Sequence, residues 1–465
     1  MSFSCNNITD PDIKAKLEQI ANIKSLALPP ICLPNIHKKP RLESPPQFVA
    51  ATKKTIIPQL SAPAMNCGMC IFKTGLNKND FTEDFLKEFA SSLRTQVLPR
   101  ITKVQSLFQW LGIFKRKKTK YDLTKKELES IFLHGASAAI KKYNISETEL
   151  DNIERKGCIL NKNEKDEINF YSLVPRSLYK NGLHEMGYNF GGNHFLEIHF
   201  IEKISNEKIA KLWGLKENQL VFFYHGGGGH ATYHLGRYFA RREKNTGFEK
   251  FALFFLKFFF HFCSFDGLKN FGTRWKAYFS KKQFSEISIE TNEGKRLMQS
   301  IKISMNYGYA FRVALLKRIK DALPKTSEIS FLWDSSHDSI TEEEINGEKL
   351  IVHRQDAARI FPEKPAIISG FNTLSYIGIG TDRADKTIFS LSPSAGQTIK
   401  RFHKTGKSSA ETTYKTLLTK HKEKDLVKIP QITSEGLFEI TNIFEAEDVI
   451  KPVAYTRPVA IIKGH

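Results

Sequence analysis

The chain has 465 residues and a mass of 53.2 kDa, with 41% hydrophobic and 26% charged residues. That is room for two or three ordinary domains or one elaborate one, and the composition excludes a disordered or fibrous polymer. Seventy Lys+Arg against 49 Asp+Glu leave a formal charge of +21, which favours polyanionic partners, meaning nucleic acid or an acidic membrane surface, although a solvated lysine-rich surface gives the same balance. Six scattered cysteines exclude a disulfide framework, and the opening residues lack a basic region followed by an apolar stretch, so the expected compartment is a reducing cytoplasm.

In chain order, residues 1–25 read as an N-terminal helix with Asp10 as cap, Pro11 in the first turn, and Ile13, Leu17 and Ile20 on one face. Residues 26–74 form short apolar strands broken by prolines. A helix follows, with Asp80 and Glu83 as a capping box and Phe81, Phe85, Phe89, Leu93 and Val97 along one face. Lys115 to Lys118 and Lys120 make a basic connection, read as a solvated loop with a phosphate contact as the alternative. Helical and loop sequence runs to about residue 180, after which apolar strands alternate with glycine-rich turns, one strand running from His194 to Ile201 and another over Val221–Tyr224. The apolar run Phe251 to Phe265 is shorter than the roughly 20 residues that span a bilayer. Lys257 and His261 also interrupt it. It is expected to be a buried helix, with a membrane-surface helix second, and no membrane partner is expected. A helix is expected over 297–322, and strands return at 329–334, 349–354 and 375–380. Without a regular βαβ rhythm, this predicts one complex α+β domain over 1–465.

Four positions share a setting in which a soft or borderline ligand sits where an apolar strand meets a turn: Cys67, His194, His225 and His337. Thiolate and imidazole together suit zinc, manganese or iron, with long sequence distances as in sites assembled by folding. A lone histidine at a strand end is usually a hydrogen-bonded core or surface residue. Cys67 and Cys70 form a Cys-x-x-Cys pair, but no second pair exists for a zinc ribbon and a thioredoxin-like context is missing. The run from His225 to His230 encloses four glycines without the Lys-Ser/Thr ending of a P-loop. It reads as a flexible turn, or as close backbone approach to a phosphate or metal.

Taken in order, these segments resemble the RtcB family of RNA ligases. Leu33-Pro34-Asn35-Ile36-His37 and Val49-Ala50-Ala51-Thr52 are similar to its opening segment, Asn66-Cys67-Gly68 to its Asp-x-Asn-Cys-Gly motif, and Gly191-Gly192-Asn193-His194-Phe195 with Glu197 to its Gly-Gly-Asn-His-Phe-x-Glu. Met305-Asn306-Tyr307, His337-Asp338, Val352-His353-Arg354 and Ile462-Lys463-Gly464 follow in family order, so the matching region is 26–464. The resemblance implies an α+β domain with mixed sheets around a central metal cleft. It also implies joining of RNA 2′,3′-cyclic phosphate or 3′-phosphate ends to 5′-hydroxyl ends, with GTP and one or two Mn2+ ions. By resemblance, Cys67, His194, His225 and His337 are the metal ligands, Asn193 touches phosphate, and Glu197, Ser375 and Lys463 hold guanosine.

The departures are specific. The family's aspartate three residues before its cysteine is Ala64 here, and its nucleotide-accepting histidine is Pro393, in Pro393-Ser394-Ala395-Gly396-Gln397. Proline has no nucleophilic atom. The Ser-Arg of the glycine loop is Gly228-Gly229, the Lys-Gly after His353-Arg354 is Gln355-Asp356, the guanine-stacking tyrosine falls near Ile440, and His403 is the nearest histidine past Pro393. Two readings follow: an RNA ligase homologue with its metal site largely kept, or an inactive protein of the same fold that binds RNA ends or a protein partner.

Overall fold

The computed structural model describes residues 3–39, 42–96, 118–188, 190, 192–240, 246–280, 283–420 and 425–463. Val97, Lys115–Lys117, Gly191 and Gly464 lie outside the described residues. The first helix runs Pro11–Ala21, where the Asp10 carboxylate accepts from the backbone of Asp12 and Ile13 and the predicted apolar face is buried. Before it, Cys5 is bonded to Cys32 with a Cα–Cα distance of 5.1 Å. This crosslink departs from the expectation of no disulfide framework, since 27 residues separate the two cysteines and only folding brings them together.

The helix expected after residue 80 spans Glu83–Thr95, but its cap is Thr82, whose hydroxyl accepts from Phe85 N at 3.0 Å. Asp80 instead accepts from Asn77 N at 2.7 Å and closes a separate short turn, Lys78–Asp80. The capping box was assigned one turn late because two caps follow each other.

The core of the fold is a nine-stranded sheet whose main path runs Pro365–Ile368, Ser375–Gly380, Ile450–Lys463, Phe195–Ile204, Gln219–Gly226, Gly68–Asn77 and Ile329–Ser336. All neighbours along this path are antiparallel. Its central strands are buried on both faces, which is why Leu220–Tyr224 reads as an unbroken apolar run and not as an alternation. The 31-residue helix Asn292–Ala322, buried through most of its length, packs among the helical elements and touches the strand Ile329–Ser336. A second antiparallel sheet orders Ile31–Cys32, Phe48–Thr52, Glu348–Gln355 and Ser339–Ile345. Mixed helices and several sheets make this an α+β fold, as expected.

The phenylalanine-rich segment forms a helix, Gly247–Phe262, yet it is not the buried helix the composition suggested. Phe248, Phe251, Phe254, Phe255, Leu256 and Phe259 are exposed, whereas Lys257 and His261 are buried. The polar residues turn inward because carbonyls wait for them. Lys257 Nζ donates to Ala240 O at 2.9 Å and Tyr278 O at 2.8 Å, and His261 Nε2 to Tyr238 O at 2.9 Å. No helix among the described residues is long and apolar enough to cross a membrane.

Candidate metal-binding cleft

The sheet order explains how four distant residues meet. Cys67 immediately precedes the strand Gly68–Asn77 and His194 the strand Phe195–Ile204, while His225 lies near the end of Gln219–Gly226 and His337 just past the end of Ile329–Ser336. These four strands are consecutive in the sheet and antiparallel, so two strand starts and two strand ends fall at one edge: Gly68 pairs with both Gly226 and Ser336, and Phe195 with His225. Backbone bonds from His337 N to Cys67 O at 2.8 Å and from Asn66 N to Asp338 O at 2.7 Å lock the outer corner.

The side chains converge on the sulfur. His194 Nε2 lies 3.5 Å and His225 Nε2 3.7 Å from Cys67 Sγ, and the Nε2 atoms of His225 and His337 are 3.1 Å apart. The possible ligand atoms of Cys67, His225 and His337 all lie within 4.8 Å of one another. His194 stands outside that group of three but still reaches the sulfur. Burial alone would push the Cys67 thiol up, but the charges of His337, His194 and His225 outweigh it and hold the thiol well below its usual range. Burial would likewise depress His337, and the Cys67 thiolate and Asp338 carboxylate raise it well above the ordinary imidazole value.

This donor set fits a cation. His225 Nδ1 sits 3.2 Å from Asn193 O, and a carbonyl can only accept, so the Nδ1 proton is committed there and Nε2 presents a lone pair inward. His337 Nδ1 lies 3.3 Å from Asp338 Oδ2 and 3.6 Å from Asp356 Oδ1, so two carboxylates stand behind the ring while its Nε2 faces His225. A proton held between the two Nε2 atoms at 3.1 Å satisfies them beside the thiolate, and a cation that displaced that proton would meet both lone pairs and the sulfur. The cleft in front has a volume of about 420 Å3, and its lining includes Lys39, Ala64, Cys67, Asn193, His194, His337, Asp338 and Asp356.

Behind the cysteine, the turn is clamped. Asn66 adopts a left-handed φ of 57°, its amide donates to Met305 O at 2.5 Å, and its two oxygens accept from Arg312 at 2.8 and 2.9 Å. Arg312 is fully buried and paired with Asp334 at 2.5 Å. Gly227 passes so close that a Cβ there would stand 2.8 Å from Cys67 Cα, which is the local need for glycine after His225. Sequence reasoning missed Arg312 and Asp334. Arg312 lies two turns past the noted Asn306 within a helix where an arginine ordinarily reads as a solvent-facing residue.

Cys70 takes no part. It is buried in the strand near Asp334 and Arg312, and burial and the Asp334 charge push its thiol up. The Cys-x-x-Cys spacing thus puts the two sulfurs in different environments.

The residues assigned to guanosine gather at a second place, around the loop 369–375. Glu197 is fully buried, with Asn372 N and Ser369 Oγ each 3.4 Å from its carboxylate, and Ser375 Oγ accepts from Gly370 N at 2.9 Å. Lys463 Nζ lies over the Phe371 ring, 5.4 Å from its centre. Pro393 is adjacent, its carbonyl accepting from Ser369 N at 3.0 Å. Asn193 is exposed at the mouth of the cleft. His403 is exposed on the helix Gly396–Lys404 and does not line the cleft, and Ile440 is buried in the core.

Residues 16–464 match the family described as tRNA-splicing ligase RtcB. The chain belongs to the RtcB family. It is 24% identical over 433 residues to the tRNA-splicing ligase RtcB of Methanococcus maripaludis, covering 86% of this chain and 80% of that protein. It is likewise 24% identical over 438 residues to RNA-splicing ligase RtcB homolog 1 of Entamoeba dispar, covering 86% and 72%. Against the Methanocaldococcus jannaschii family member the match covers 72% of this chain but 32% of that longer protein, at 24% identity.

Proposed function

We propose that the chain is an RtcB-type RNA ligase homologue that engages 3′-phosphate or 2′,3′-cyclic phosphate RNA ends and 5′-hydroxyl ends in the cleft at Cys67. The carrying observation is the convergence of three imidazole nitrogens on one buried sulfur. In this reading Cys67, His194, His225 and His337 hold one or two Mn2+ ions, and the family match over nearly the whole chain supports the assignment. A bound divalent ion would supply Lewis-acid polarisation and charge neutralisation for a phosphate oxygen.

The protein's own groups have separable tasks. Asn193 O fixes the tautomer of His225, and the Asp338 carboxylate places a negative charge beside His337. The Asn66–Arg312–Asp334 clamp holds the sulfur at the strand end. Asn193, exposed at the cleft mouth, would meet a phosphate. Glu197, Ser375 and Lys463 are the residues that would hold GTP. The protein's own loop already satisfies the first two, so a purine would require that loop to shift. Pro393 cannot accept a guanylate. A cytoplasmic location belongs to the same reading, and the Cys5–Cys32 bond runs against it.

Two measurements test it. Metal content of the purified protein should fall on Cys67→Ala and stay on Cys70→Ala; equal loss in both would remove the role of the cleft. Incubation with labelled GTP and Mn2+ should leave no guanylate at Pro393, and a sealing assay with 3′-phosphate and 5′-hydroxyl RNA distinguishes ligation from binding of ends.

A further inference from the structure

We propose that the exposed aromatic face of the helices Gly247–Phe262 and Phe271–Tyr278 is a docking surface for an anionic lipid membrane interface, lying on the bilayer without crossing it. This is independent of the cleft chemistry and runs against the sequence expectation of no membrane partner.

The first observation is the inverted orientation of the helix Gly247–Phe262. Its two interior polar side chains, Lys257 and His261, are buried and bonded to carbonyls, and His261 also accepts from Arg296 Nη1 at 3.2 Å. Beneath it, Glu293 binds Arg274 at 2.8 Å, Arg296 at 2.5 Å and the Tyr278 hydroxyl at 2.6 Å. This buried polar set fixes the rotation of the helix. The phenylalanines therefore face outward by construction, since turning them in would strand Lys257 and the carbonyls it serves.

The second observation is the width of the exposed face. At 100° per residue, the exposed positions Phe248, Phe251, Phe254, Phe255, Leu256 and Phe259 cover about 200° of arc. A helix seated in a protein groove presents a stripe nearer 100°. Leu268, Phe271 and Trp275 extend the apolar surface on the following elements. So broad a face suits a fluid apolar phase that closes around it.

Charge selects the kind of surface. Residues 241–282 contain ten Lys/Arg against three Asp/Glu; Lys257 and Arg274 are buried and paired within, while Lys250, Lys269 and Lys276 are exposed. Facing a second copy of this segment would set like charges against each other. An anionic headgroup layer is complementary to it, and apolar side chains beneath a basic fringe are the arrangement of interfacial helices.

The test is sedimentation of the full chain with vesicles of equal parts phosphatidylserine and phosphatidylcholine, and with vesicles of phosphatidylcholine alone. The wild type should pellet with the mixed vesicles, less with the neutral ones, and its Trp275 emission should shift to the blue. Combined Phe251→Ser, Phe255→Ser and Phe259→Ser should lower vesicle partitioning at least about tenfold while circular dichroism and melting stay unchanged. Trp275→Phe should remove the emission shift and retain binding. The proposal is overturned if neither vesicle pellets the protein or if the triple variant binds as well as wild type. It is overturned equally if the triple substitution abolishes only self-association or only RNA binding.

Discussion

The carboxylate count around the sulfur allows a quantitative test. Ala64 lines the cleft with no charge to offer, whereas Asp338 lies one residue past a ligand position, with Oδ2 3.3 Å from His337 Nδ1 and Oδ1 accepting from Asp356 N at 2.8 Å. The family pattern has a carboxylate at the first of these positions and an amide at the second. In Asp338→Asn the amide can keep the bond to Asp356 N only by turning its NH2 toward His337. That end is neutral, so the negative charge 3.3 Å from His337 Nδ1 is lost from the cleft.

At an effective dielectric near 20, a unit charge 3.3 Å away interacts by about 5 kcal/mol, much of it offset by the desolvation of a buried carboxylate. The remainder should resemble the loss seen for partners that orient metal-binding histidines, about 10- to 100-fold in affinity, or roughly 1.4–2.7 kcal/mol. Titration calorimetry with Mn2+ should therefore show that drop in Asp338→Asn. The double variant Asp338→Asn with Ala64→Asp, which restores the family arrangement, should recover most of it. Unchanged affinity in the single variant, or no recovery in the double, would refute an exchange of carboxylate positions.

Two other expectations concern the scaffold. Arg312→Met leaves Asp334 buried without its partner and should cost about 3–5 kcal/mol of stability by urea unfolding; a loss below about 1 kcal/mol would show that the clamp is not needed. His353 is buried, accepts from Ile57 N at 3.0 Å, and is pushed by burial down to about 4 from an ordinary 6.5. Its folded-state value is depressed, so the stability it contributes is intact above pH 6.5 and is lost as pH falls toward 4, by about 3 kcal/mol at full extent. Unfolding curves across that window for wild type and His353→Gln should diverge on the basic side and converge on the acid side.

The convergence of Cys67, His194, His225 and His337 is largely legible because strand ends carry signals that short windows capture: an apolar run meeting a turn, with a cysteine or histidine at the junction. His225 and Gly227 show why, since the same tight approach that demands glycine also puts the imidazole beside the sulfur. The supports were less legible. Arg312 and Asp334 look like a solvent-facing cation and a strand-end acid, and only the crossing of helix and sheet makes them a buried pair. The outward phenylalanines were misread for a related reason. Apolar composition predicts burial only where polar neighbours can stay wet, and here Lys257 and His261 had carbonyls to satisfy inside.

The charge pattern of the cleft also bears on how an RNA phosphate is gripped. Where the family has an arginine in the glycine loop and a lysine after its Val-His-Arg, this chain has Gly228-Gly229 and Gln355-Asp356. Among the residues described as lining the cleft, Lys39 is the one Lys or Arg left, against Asp338 and Asp356. Under the proposed function, phosphate met by so few fixed cations would lean on a metal ion held at Cys67, and two carboxylates near His337 would repel it without that ion. Stripping divalent ions should then abolish the difference in affinity between an RNA ending in 3′-phosphate and the same RNA ending in 3′-hydroxyl. Salt-dependent binding through the wider basic surface should persist. Measured by fluorescence anisotropy with and without Mn2+, an end preference that survives chelation would mean that protein cations alone recognise the phosphate, and would separate end recognition from the site at Cys67.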